Sequence, residues 1–118
     1  MGRTDDVVWF EFESKIFSKR ISALPAEVLI NIQSELVQNP QRGDIVKETH
    51  GVRKAQVADA GSSPGKSGSY RYLYLYLEHA GRIHLLYLFS KGDQAELSPD
   101  QTRIIGALSQ QIRRESES

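Results

Sequence analysis

"SGSYRYLYLYLEH" (residues 67–79) is the stretch on which the reading of this chain turns. Strand side chains alternate between two faces. Tyr70, Tyr72, Tyr74 and Tyr76 therefore share one face, and Arg71, Leu73, Leu75 and Leu77 share the other. A strand apolar on both faces is one that is covered on both sides. Arg71 is the exception, a single guanidinium near the start of a strand otherwise made for burial.

The neighbouring segments supply the cover. "RIHLLYLFSK" (82–91) is apolar on both faces too and is expected to pair with the first strand across a tight hairpin turn at Ala80-Gly81. "GSSPGKSG" (61–68) is a loop of small residues. "IVKETH" and "VRKAQVADA" read as two strands, or a strand and its lead-in, broken at Gly51. Upstream, Val7 to Phe12 alternates as a short first strand, and "KIFSKRI" forms a short helical turn. "LPAEVLINIQSELVQNP" carries Val28, Leu29, Ile32 and Leu36 at helical spacing. Pro25 suits its first helical position, and Asn39-Pro40 ends it. After a "QRGD" turn and the strands, "SPDQ" opens a last helix with Ser98 as N-cap, Pro99 first and Gln101 closing a capping box. Ile104, Ile105, Leu108 and Ile112 dock it, and residues 113–118 read as a frayed polar tail. The order β-α-α-β-β-β-α predicts a single α+β domain over residues 1–118. It has a small antiparallel sheet, an N-terminal helix pair on one face and a C-terminal helix against another part of it.

Composition narrows the chemistry. At 118 residues one core is expected. The chain has no cysteine, which excludes disulfides, thiolate metal sites and cysteine nucleophiles. That absence suits a cytoplasmic setting. No stretch reaches the roughly 18 apolar residues of a membrane span, and the first ten residues are too acidic for a secretory signal. Net charge is zero, but residues 42–91 hold eight basic against four acidic side chains. A basic middle between mildly acidic ends leaves room for a local phosphate-attracting surface.

The three histidines, His50, His79 and His84, have no metal-ligand spacing, so no metal or other cofactor is expected. "GSSPGKSG" fails as a phosphate-cradling loop: Ala60 stands where its first glycine belongs, and a strand follows instead of a helix. What remains is a basic set: Arg53 and Lys54 on one strand, Lys66 in the loop, Arg71, and Lys91 at the end of the last strand. The hairpin brings Arg71 and Lys91 to the same open end of the sheet, and a neighbouring "VRKAQV" strand lets Lys54 face the same hollow. The plainer reading is a set of solvated edge charges, with Arg71 paired to Glu96 or Asp59. Without acids or histidine, such a cluster suits phosphodiester cleavage by a 2′-hydroxyl, in which fixed cations stabilise charge developing on the phosphoryl oxygens.

The run "GVRKAQVADAG…GKSGSYRYLYLYLEHAGRIHLLYLFSKGDQAELSPDQ" resembles the RelE/ParE superfamily of bacterial toxins, in its HigB-like branch. The resemblance spans Phe12 to Ile112. It implies a RelE-like fold and a type II toxin that cleaves mRNA on the ribosome without metal, held in check by a helix-turn-helix antitoxin. By the same resemblance Lys54, Arg71 and Lys91 are the catalytic candidates, and Arg53, Lys66 and Gln56 the RNA-binding ones. Gln56 stands where relatives usually carry a second basic residue, Gly92 and Asp93 where the best-known toxins add arginine, and Ser98 where some use a tyrosine. Two alternatives follow: a weak or inactive RelE-like fold that binds its antitoxin, and a ParE-like inhibitor of DNA gyrase with no enzymatic activity.

Overall fold

The computed structural model describes residues 10–57, 70–90 and 96–117. Its elements are β1 (Phe10–Glu13), α1 (Lys15–Ile21), α2 (Ala26–Gln38), β2 (Asp44–Ile45), β3 (Arg53–Val57), β4 (Tyr70–Leu77), β5 (Arg82–Ser90) and α3 (Pro99–Glu117). The sheet order is β1-β5-β4-β3-β2. β2 to β5 form the expected antiparallel sheet, and β1 adds to its far edge in parallel with β5. β4 lies at the centre, as its two apolar faces require.

Each face of β4 has its own core. The tyrosine face meets the N-terminal helix pair: Phe17 and Ile21 of α1 and Val28, Ile32 and Leu36 of α2 pack with Tyr72, Tyr74, Ile83, Leu85 and Leu88. The leucine face meets α3, where Ile105, with Leu108 and Ile112, packs on Leu73, Leu75, Leu77, Leu86 and Phe89. β5 serves both cores because its register against β4 shifts. Leu73 faces Tyr87 but Tyr74 faces Leu85, so Leu86 is the extra residue of a bulge. The bulge keeps Ile83, Leu85 and Leu88 on the tyrosine side although their spacing breaks strict alternation.

Several boundaries differ from the sequence expectation. Pro25 is the N-cap of α2, not its first residue. The β4–β5 connection is a short 3₁₀ turn, Glu78–Ala80, closed by Gly81 at φ 62°, in place of a tight turn at Ala80-Gly81. "IVKETH" pairs only at Asp44–Ile45. It then turns back through Glu48 and His50, both at positive φ, and Gly51 at φ 95°. The residues expected to fray are helical through Glu117. The observed first strand starts at Phe10; Val7–Trp9 and the 61–68 loop lie outside the described residues.

The turn and α3 hold each other. Non-glycine residues at positive φ are strained and persist where surroundings fix them. Here the His50 carbonyl accepts from Ser109 Oγ at 2.9 Å and from Arg113 Nε at 2.9 Å. Buried Thr49 donates from Oγ1 to the Val46 carbonyl at 2.7 Å and accepts from the Val52 N–H. Arg113 is thereby an anchor, which is why the helix does not end at Ile112.

α3 comes close enough to this turn that a Cβ on Gly106 would lie 2.9 Å from the Glu48 carbonyl oxygen. Gly106→Ala should therefore lower the melting temperature. Alanine gains about 1 kcal/mol in helix propensity, but forcing α3 off a backbone contact costs about 1–3 kcal/mol. A raised melting temperature would contradict this docking.

Candidate functional site

Arg71 lies on the leucine face, opposite Gln56 of β3 and Phe89 of β5. Its neighbours along that face, Leu73, Leu75 and Leu77, are at most 1% exposed, whereas Arg71 is half-buried. Arg71 is the first residue of this face in β4. Its Nη1 atom is buried and makes no hydrogen bond among the described residues. Neither Glu96 nor any other described carboxylate pairs with it; Asp59 lies outside the described residues. A buried, unpaired guanidinium nitrogen is costly to desolvate.

Register shows which candidates join Arg71. Lys54 faces Leu73 and Gln56 faces Arg71, so Lys54, Gln56 and Arg71 occupy the same side of the sheet. Lys54 and Arg71 are diagonal cross-strand neighbours, a separation of about 7–8 Å between such positions. Asp44 of β2 flanks Lys54 on its other side. Lys54 is half-buried and Gln56 exposed. Arg53, by contrast, points to the tyrosine side, opposite Tyr74 and Ile45. Its Nη1 donates to the Gln41 carbonyl at 3.1 Å and the Gly43 carbonyl at 2.7 Å, bracing the loop before β2. Lys66 and Lys91 lie outside the described residues. Ser90, the residue before Lys91, pairs with Tyr70 at this end of the sheet.

Behind the site is a polar network that the sequence reading missed. Arg42 Nη1 donates to Tyr72 Oη at 3.1 Å and to the Gln56 carbonyl at 3.3 Å, and pairs with Glu35 at 3.3 Å. Tyr72 Oη donates to the same Glu35 carboxylate. Tyr74 Oη accepts from the Gly43 N–H at 3.0 Å and donates to the Pro40 carbonyl at 2.7 Å. Gly43 itself sits so close to β3 that a Cβ there would lie 2.8 Å from the Lys54 carbonyl oxygen. Residues 40–43 thus hold the β3 backbone at the two positions, Lys54 and Gln56, that flank Arg71. The available signal was the tyrosines themselves: buried phenols need partners.

No group of three or more potential metal ligands exists among the described residues. His84 is half-buried beside Leu75 on the leucine side. Burial, reinforced by Arg82, pushes its pKa below the ordinary imidazole value, while Glu115 opposes the shift. No helix among the described residues is long and apolar enough to cross a membrane.

No family profile matches the sequence. Among solved structures, the chain is similar to the E. coli toxin RelE, a double arginine-to-alanine mutant in the free state. The TM-score is 0.54 at 12% identity, covering 75% of this chain and 88% of that one. The fold is RelE-like. At this identity the similarity speaks to architecture, and it matches the α+β arrangement derived above.

Burial raises the pKa of both Tyr72 and Tyr74 above the ordinary 10.0, against the opposing pull of Arg42 on Tyr72 and of the Gly43 N–H on Tyr74. Above that value the unfolded chain loses phenolic protons that the folded chain keeps, so folding stability falls as pH rises past about 10. Urea titrations from pH 8 to 11 should show this decline, and Tyr72→Phe/Tyr74→Phe should flatten it relative to wild type. At neutral pH, Tyr74→Phe should cost about 1–3 kcal/mol, because the buried Gly43 N–H loses its acceptor.

Proposed function

We propose that the protein is a type II toxin of the HigB-like kind, a metal-independent endoribonuclease that cleaves mRNA on the ribosome and is neutralised by a helix-turn-helix antitoxin. The observation that carries this reading is the Arg71 guanidinium, with Nη1 buried and unpartnered, on one side of the sheet with Lys54 and Gln56. The resemblance of the basic pattern to this toxin branch and the RelE-like fold support it.

In the proposed reaction an RNA phosphodiester lies across β3 and β4. Arg71 offers two parallel donors to the non-bridging phosphoryl oxygens, a geometry that suits a planar fork and a group that keeps its proton. Lys54 adds a second fixed cation from the diagonal position. The neighbouring 2′-oxygen forms a bond to phosphorus and releases its proton, the P–O5′ bond breaks, and O5′ takes up a proton. The products are a 2′,3′-cyclic phosphate and a 5′-hydroxyl. Arg71 and Lys54 stabilise the extra negative charge between those events. Lys91 is the third proposed catalytic cation; Lys66 and Gln56 are proposed RNA contacts, and Arg53, on the other side of the sheet, is proposed to act through the loop it braces. No cofactor enters this scheme, and the proposed site of action is the cytoplasm.

Mapping mRNA 5′ ends after induction tests the reading. In-frame cleavage of translated messages supports it. Growth arrest with intact messages and stalled supercoiling would favour gyrase inhibition, and neither effect would favour an inactive fold that only binds its antitoxin. Arg71→Ala should lower cleavage by about 10²–10³-fold, the usual loss for one such donor, and Arg71→Lys should recover little. Because Arg71 has no partner to orphan, its melting temperature should hold or rise. A drop in melting temperature with cleavage falling only in proportion would make Arg71 a structural residue.

A further inference from the structure

At the same end of the sheet as Arg71, but on the tyrosine side, a cavity of about 210 Å³ lies between the end of α1 and the start of β4. Its walls include Arg20, Leu24, Tyr70, Leu88 and Ser90. Tyr70 directly precedes Arg71, and Ser90 directly follows the Phe89 that faces Arg71. Among the described residues the two surfaces meet at this end of the sheet. We infer that this cavity is a nucleobase subsite: it takes the base of the nucleotide flanking the phosphate held at Arg71, as single-stranded RNA passes over the sheet end. The inference rests on the RNA-cleaving reading above and extends it to a second contact.

Four features favour a base as occupant. The volume lies below the roughly 300 Å³ at which sites for drug-sized ligands begin, and suits one flat ring system. Leu24 and Leu88 give an apolar floor, and Tyr70 an aromatic ring, the surface on which single-stranded bases stack without sequence preference. Arg20 is exposed and its guanidinium carbon sits 5.0 Å from the centroid of the Tyr87 ring. Arg20 supplies a cation to the cavity wall, although the ring it rests on, Tyr87, belongs to the leucine side and not to the cavity. Among the described residues no carboxylate lines the cavity. The other described cavities lack this combination: one beside α3 mixes Glu48 with Arg103, and one between Ile16 and Ile104 is nearly all apolar.

The test is an NMR titration of the intact protein with a 2′-O-methylated trinucleotide, which cannot supply the attacking hydroxyl, and with the same ligand carrying one abasic position. With the intact ligand, base protons should give nuclear Overhauser contacts to the Tyr70 ring and the Leu24 and Leu88 methyls. Binding of the abasic ligand should be weaker by roughly 5- to 100-fold, the loss expected for one stacked base. Tyr70→Phe should bind as wild type, while Tyr70→Ala should lose the same factor and no longer distinguish the two ligands. If Arg71 signals move but both ligands bind equally and the cavity is silent, the subsite is overturned while the phosphate site stands. If neither region responds, both readings fall. The abasic comparison uses wild-type protein, so a folding defect in Tyr70→Ala does not blunt it.

Discussion

Two-sided burial of β4 is the constraint on which the rest of the structure depends. Tyr72, Leu73, Tyr74 and Leu75 are all fully buried, and each such side chain contributes on the order of 1.5–3 kcal/mol by leaving water. A strand of that kind must sit in mid-sheet and must have a layer on each side. The helix pair supplies one layer and α3 the other, so the N-terminal helices and the C-terminal helix are each committed to one face. β5, next to β4, has to feed both layers, and the bulge at Leu86 is how its sequence does so.

The same constraint sets where polar groups can go. On the tyrosine side, phenols that enter a core bring hydroxyls with them, and those of Tyr72 and Tyr74 are satisfied by Glu35, Arg42, Gly43 and Pro40. This fastens the 40–43 loop to β3 and fixes the backbone that carries Lys54 and Gln56. On the leucine side, nothing comparable meets Arg71 among the described residues. One face of β4 is closed by a satisfied network and the other ends in an unsatisfied guanidinium. That asymmetry, between buried phenols with partners and an Arg71 Nη1 with no hydrogen bond among the described residues, separates the scaffold from the candidate site.

Much of this was legible in the sequence. Alternation over residues 70–77, the helical spacing of Val28, Ile32 and Leu36, and the Ser98–Gln101 capping box each have a local physical cause. The capping box appears as read, with the Gln101 N–H donating to Ser98 Oγ and the Ser98 N–H to Gln101 Oε1. That the "VRKAQV" strand lies beside the Arg71 strand was also readable, though not the register that sets which side Lys54 faces. What escaped depends on contacts distant in sequence. Glu48 and His50 adopt positive φ because α3, about sixty residues later, accepts that turn through Ser109 and Arg113. Arg113 looked like part of a polar tail for the same reason. Arg53 and Lys54 looked equivalent as neighbours, yet alternation sends them to opposite sides, and only the register identifies which one meets Arg71. The bulge was hidden because "HLLYLF" is apolar throughout, and a uniform run carries no mark of where alternation slips.

The central claim is that Arg71 is held without a protein partner so that a phosphate can occupy its donors. The most direct measurement is the hydrogen exchange and chemical shift of the Arg71 guanidinium, recorded by ¹⁵N-detected NMR on the free protein and with an uncleavable 2′-O-methylated trinucleotide. The account predicts guanidinium protons unprotected by hydrogen bonding in the free protein, with marked protection and a shift on binding. Protection already present in the free protein and unchanged by the ligand would contradict it, because the guanidinium would then be engaged by the protein itself.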